Sequence, residues 1–156
     1  MTVLSVLAAI TLGTVNAQTK PIKVLKNADT LITKNTVWDC DTIYFLGGKV
    51  YVSNNAELTI QPGTVITGDT TTKGTLIITR GSKIHAVGTP TCPIVFTSSR
   101  GPGRKARGDW GGVIILGNAK INPAGGTAFI EGLNANPLSQ YGGTNDNDNS
   151  GELSFV

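Results

Sequence analysis

The chain predicts an all-β solenoid, a backbone wound into stacked coils. Three observations predict it. A glycine-punctuated apolar pattern recurs: L-T-I-Q-P-G (Leu58 to Gly63), L-I-I-T-R-G (Leu76 to Gly81) and V-I-I-L-G closing at Gly117. These glycines fall 18 and then 36 residues apart, twice the first step, with the apolar run Ile94 to Thr97 at the skipped register. A fixed step of this size suggests coils that each add one rung. Charged residues are only 15%, while Gly reaches 20 of 156 residues, which suits short strands joined by tight turns. Finally, no window beyond the N-terminal stretch sustains a helical period.

Each segment can be justified in turn. The first seventeen residues hold an apolar run too short to span a bilayer, ending in V-N-A-Q with small Val15 and Ala17. That is the form of a signal peptide, cleaved between Ala17 and Gln18. Residues 18–36 read as a polar lead-in and N-terminal cap with a strand near Leu31 and Ile32. The coils then occupy residues 37–156. V-W-D-C-D-T-I-Y-F-L leads through Gly47 and Gly48 into K-V-Y-V. Asn54 and Asn55 make a turn because both tolerate left-handed backbone. The two-strand unit around Pro62-Gly63 is repeated from Gly74 to Thr89, and C-P-I-V-F-T-S-S reads as a third strand of that coil. A glycine-rich loop, Gly101 to Gly112, precedes V-I-I-L-G. T-A-F-I-E-G is a further short strand. Leu133 to Gly151 reads as a long polar loop, and E-L-S-F-V as a strand in which the sequence stops. A coil without a polar cap predicts the N-terminal part of a longer protein, a solenoid incomplete at its C-terminus.

Quoted in order, these segments resemble exported right-handed parallel β-helix proteins of Bacteroidetes type. The similarity spans Val37 to Val156, and the ordered set carries it rather than any one piece. It implies a right-handed parallel β-helix, secreted or at the cell surface of a Gram-negative bacterium, often with a type IX sorting signal beyond Val156. It implies a fold and a location, and no reaction.

Candidate sites follow from residue type. Cys40 and Cys92 form an even pair in an exported chain, so a disulfide is expected, with two free thiols as the other reading. Closing so long a loop would stabilise by roughly 4 kcal/mol. Asp146, Asp148 and Ser150 stand at alternate positions before Gly151, a form that can converge on Ca²⁺ or simply make a polar turn. Trp110, in D-W-G-G, could stack on a sugar ring or cap a coil. His85 is the only histidine, on an alternating strand, and supports no metal site. Asp69, Arg80, Asp109 and Glu131 are available for acid–base work, but no spacing brings two together. The net charge of +3 is mild, and R-K-A-R (Arg104 to Arg107) reads as a solvated loop rather than a nucleic-acid surface. The functional expectation is a structural, adhesive or glycan-binding surface protein, partnered by extracellular polysaccharide and without nucleic acid or a transmembrane span. The alternative is a polysaccharide lyase or hydrolase with its active site on downstream coils.

Overall fold

The computed structural model describes residues 19–26 and 29–156. The expected signal segment lies outside the described residues. Twelve short strands wind around three parallel sheets, and two more form a hairpin. The first coil holds β1 (Ile22–Leu25), β2 (Asp29–Ile32) and β3 (Thr36–Trp38). The second holds β4 (Ile43–Leu46), β5 (Lys49–Val52) and β6 (Glu57–Ile60). The third holds β7 (Val65–Gly68), β8 (Thr75–Ile78) and β9 (Lys83–Val87). The fourth holds β10 (Val95–Ser98), β11 (Gly112–Ile115) and, after the hairpin β12 (Ala128–Phe129) and β13 (Gln140–Tyr141), the strand β14 (Gly151–Ser154). Sheet A is β1-β4-β7-β10, sheet B is β2-β5-β8-β11 and sheet C is β3-β6-β9-β14, all paired in parallel. This is a parallel β-helix.

The register corrects the 18-residue step. In sheet A, Ile22 pairs with Ile43, Ile43 with Val65 and Val65 with Val95, so the coils advance by 21, 22 and 30 residues. Leu58 aligns with Ile84, whereas Leu76 aligns with Val113. Thus L-T-I-Q-P-G turns the corner from sheet C to sheet A, and L-I-I-T-R-G turns the one from B to C. The step measured one kind of corner against another. Likewise C-P-I-V-F-T-S-S opens the fourth coil in sheet A instead of closing the third. The lead-in carries two strands of its own. Its alternation was hidden because β1 turns Ile22 and Val24 outward, 62% and 45% exposed.

Period-2 alternation sends one face of every strand inward. Leu58 and Ile60, Ile84 and Ala86, Val50 and Val52, Leu76 and Ile78, Tyr44 and Leu46 are buried in one continuous core with Ile66 and Ile94. Each fully buried Leu, Ile or Val contributes about 1.5–3 kcal/mol. Trp38 and Tyr44 stack inside, with ring centroids 4.5 Å apart. Lys23 reaches over the Tyr44 ring at 5.9 Å. Burial pushes the Tyr44 phenol above its ordinary range. Corners take the residues that tolerate left-handed backbone, and Asn54 and Asn55 adopt φ of 61° and 57°.

Candidate functional surfaces

A three-sided coil presents three outward faces, and this chain treats each differently. On sheet B the outward column runs Leu31, Tyr51, Ile77 and Ile114. The corner after β11 does not return directly to sheet C. Residues 116–150 make a long excursion containing β12 and β13, and Leu116, Ile130, Leu133, Leu138 and Tyr141 pack on Tyr51, Ile77 and Ile114 as a second apolar cluster. Ile77 is fully buried although it points out of the helix. The segment expected as a polar loop is therefore a flap. Arg80 fastens it, donating from Nη1 to the Gly142 carbonyl at 2.9 Å and from Nη2 to the Gln140 amide oxygen.

Sheet C carries charge. Glu57 and Lys83 are paired across coils with 3.8 Å between carboxylate and ammonium. His85 projects outward beside them. Its Nε2 lies 3.3 Å from Glu57 Oε2 and its Nδ1 lies 3.9 Å from Glu152 Oε1, so three coils meet at one half-exposed imidazole.

Sheet A is left open. One outward column is Ile22, Ile43, Val65 and Val95; the next is Val24, Phe45, Thr67 and Thr97. Ile22, Val24 and Val95 are exposed, and Ile43, Phe45 and Val65 are half-buried. Among the described residues no segment folds back over this apolar surface.

The corner between sheets A and B widens along the axis. It has two residues after β4, six after β7 and thirteen after β10. The last of these is tied down by Asp109, which is buried. Asp109 Oδ2 accepts hydrogen bonds from the Ala106 amide at 2.8 Å and from Ser98 Oγ at 2.9 Å, and Arg100 Nε lies 3.0 Å from Oδ1. The Ala106 amide, then Ser98 and Arg100, hold the Asp109 carboxyl below the usual range against the opposing effect of burial. Trp110 follows directly. Its indole lies over Gly68, where an added Cβ would come within 2.5 Å of Trp110 Cε3. The ring thus fills the space that Gly68 leaves open beside the core, and Trp110 is half-buried there. Asp69, in the corner below, accepts from the Thr72 hydroxyl at 2.8 Å and from the Thr72 amide at 3.1 Å. Those bonds hold its carboxyl below the ordinary range.

The remaining sequence candidates fall as follows. Cys40 and Cys92 are free thiols. They share a corner column but sit in the corners after β3 and β9, with Gly63 of the intervening coil between them. A Cβ at Gly63 would lie 3.8 Å from Cys40 Cβ and 3.9 Å from Cys92 Cβ. Two rungs separate the cysteine backbones by about 9–10 Å, beyond the ~7 Å that a disulfide can bridge without backbone movement. Asp146 Oδ2 pairs with Lys120 Nζ at 2.9 Å. Asp148 Oδ2 instead accepts from the Asn118 amide at 2.9 Å and from Ser150 Oγ at 3.2 Å. These groups therefore tie the flap to its own base, and among the described residues no three metal-binding side chains converge. Asp69 and Asp109 lie in the A-to-B corners of successive coils, Arg80 in the corner after β8 and Glu131 in the flap. Arg80 alone has a role the sequence could not suggest, since its partners lie about 60 residues away. A cavity of about 600 Å³ opens at the first corner, lined by Lys20, Pro21, Asp39, Asp41 and Thr42.

Three parallel sheets, a self-covered face, a charged face and an open apolar face define a β-helix scaffold with corner loops. The chain belongs to the pectate-lyase-like β-helix domain family, whose model matches residues 30–156. No curated protein and no solved structure matches it significantly. Among the described residues no helix is long and apolar enough to cross a membrane.

Proposed function

We propose that this chain is an exported β-helix scaffold whose open sheet A face binds glycan in an adhesive or structural role. One observation carries the reading. Sheets A and B both direct apolar columns outward, yet among the described residues only sheet B is covered by the chain itself. An exposed contiguous apolar face on a folded protein marks a surface that meets something. Phe45 lies at its centre, and an aromatic flanked by Ile43, Val65 and the hydroxyl of Thr67 suits the apolar face and rim hydroxyls of a sugar ring. The family's β-helix domain fits a carbohydrate-related role.

The test is a panel of immobilised polysaccharides against the chain and its Phe45→Ser variant. Binding weakened at least tenfold by that variant supports the reading; binding unchanged by it removes sheet A from consideration. The second reading is a carbohydrate-active enzyme, favoured by the pectate-lyase likeness of the domain. The same panel decides it, because release of unsaturated or reducing ends would establish turnover. Repeating the panel in EDTA tests calcium at Asp146 and Asp148.

A further inference from the structure

We propose that Cys40 and Cys92 form a two-thiolate site for a soft, closed-shell cation of the Cu(I) class, held linearly across the Gly63 rung. The inference is independent of the glycan reading above. It starts from a mismatch: two thiols share one corner column, yet they stand too far apart to bond to each other.

The ladder fixes the column. Ile43, Val65 and Val95 are partners in sheet A. Cys40 stands three residues before Ile43, Cys92 three before Val95 and Gly63 two before Val65. The three corners therefore stack, with cysteine below and above and glycine between. A Cβ at Gly63 would meet Cys40 Cβ at 3.8 Å and Cys92 Cβ at 3.9 Å. Apart from the glycine's own chain neighbours, no other atom of the described residues lies within 4 Å of that point. The two cysteines thus face a common position that glycine, with a φ of 79°, leaves free of side chain. Cys92 is exposed and Cys40 half-buried. Cys40 Sγ lies 3.9 Å from Asp41 Oδ1, a weak contact that a χ1 rotation gives up.

Reach decides what can join them. A disulfide holds its sulfurs about 2.0 Å apart and its Cβ atoms about 3.5–4.5 Å apart. A metal–thiolate bond is about 2.3 Å, so a linear thiolate–metal–thiolate unit holds its sulfurs about 4.6 Å apart. That widens the Cβ span to about 6–7 Å. The cysteine Cβ atoms are no farther apart than 3.8 Å and 3.9 Å laid end to end, and any bend at Gly63 brings them closer. The gap that forbids a disulfide therefore suits one interposed cation.

Donor type and number select the ion. Thiolates are soft ligands and favour Cu(I). Zn²⁺ in a structural site takes four ligands, and among the described residues no three His, Cys, Asp or Glu side chains converge. Two S–H bonds break, two protons pass to solvent, and two S–Cu bonds form. The copper stays in its +1 state, so no oxidant or reductant is needed. Affinity should therefore rise with pH. The bound ion would tie the corner after β3 to the corner after β9, and would raise the unfolding temperature in proportion to its occupancy.

The test uses the full chain with both thiols reduced, under nitrogen, and three probes: Cu(I) against a bathocuproine competitor, Ag(I) and Zn²⁺. The expected result is one Cu(I) or Ag(I) per monomer, with both thiols lost to a thiol reagent at one equivalent. Cys40→Ser and Cys92→Ser should each weaken Cu(I) binding about a hundredfold or more. Either variant binding like the parent overturns the paired site. One ion per two chains, with dimers in sedimentation, overturns it in favour of bridging through exposed Cys92. Zn²⁺ bound as tightly as Cu(I) overturns the linear geometry. The unsubstituted chain supplies a second check that does not depend on the variants folding. Dibromobimane fluoresces only after joining two thiols, and it should light up the reduced monomer unless Cu(I) is added first. No such signal, with both thiols still titratable, overturns their proximity.

Discussion

Sheets A and B make an instructive pair. Each has four parallel strands, each sends one side into the same core, and each puts an apolar column on the outside. On sheet B, Tyr51 and Ile77 lie under a 35-residue excursion that brings five apolar side chains and an arginine clasp. On sheet A, Ile43, Phe45 and Val65 have no such cover among the described residues. The coil itself does not decide which outward face is core and which is surface. A corner does, by returning at once or by folding back. One face of the scaffold is thereby committed to stability, and its twin is left uncovered among the described residues.

The sharpest test of this contrast is a pair of matched substitutions. Ile77→Asp places a carboxylate beneath the flap and should cost more than about 3 kcal/mol in urea unfolding. Val65→Asp, outward on sheet A, should cost about 1 kcal/mol or less. Equal losses would erase the distinction. Next in size is Gly68→Ala, which drives a methyl into the Trp110 ring. A loss of about 2–3 kcal/mol is expected, and a double variant with Trp110→Ala should recover part of it; strict additivity would show that the two do not touch. Arg80→Ala should cost about 1–2 kcal/mol. Hydrogen exchange should quicken in β12 and β13 while β8 stays protected, and uniform quickening would mean that the flap is not a separate unit.

Acid should act on the corner beside sheet A. The folded Asp109 carboxyl titrates below its unfolded value of about 3.9. Its contribution to stability is therefore complete above that pH and is lost as pH falls through the lower folded value. Trp110 fluorescence should report loosening as pH falls below about 4, and Asp109→Asn should flatten that response. The smallest effect is expected at Ser82, whose hydroxyl is buried without a partner among the described residues. Ser82→Ala should change stability by no more than about 0.5 kcal/mol, in the stabilising direction if at all.

Strand positions were legible in the sequence because corner residues leave a strong local mark. Pro62-Gly63, Asn54-Asn55 and Arg80-Gly81 each follow closely on a short apolar run. Coil register was less legible. The corners at Gly63 and Gly81 resemble one another chemically, since every corner must reverse the chain with similar residues, so their spacing imitated a repeat. The flap was missed because Ile130, Leu133, Leu138 and Tyr141 are isolated among Asn, Pro and Gly. Their common purpose appears only when Tyr51 and Ile77 are seen pointing outward. The cysteines show the same limit. Cys40 and Cys92 do share a column, as a staple would need, but sequence cannot reveal that Gly63 occupies the rung between them. Asp146 and Asp148 alternate as ligands do, yet Lys120 and the Asn118 amide draw them to different partners.

The widening corner has a consequence for how such a chain could change. Two, six and thirteen residues leave the same edge of the helix at successive coils, while the strands on either side keep their pairing throughout. The scaffold therefore separates heredity of shape from invention of contacts: a loop can be lengthened, shortened or exchanged at one edge without renegotiating the ladder beneath it. A designer could treat these edges as sockets, grafting a recognition loop at the corner after β10 and expecting the four coils to hold it.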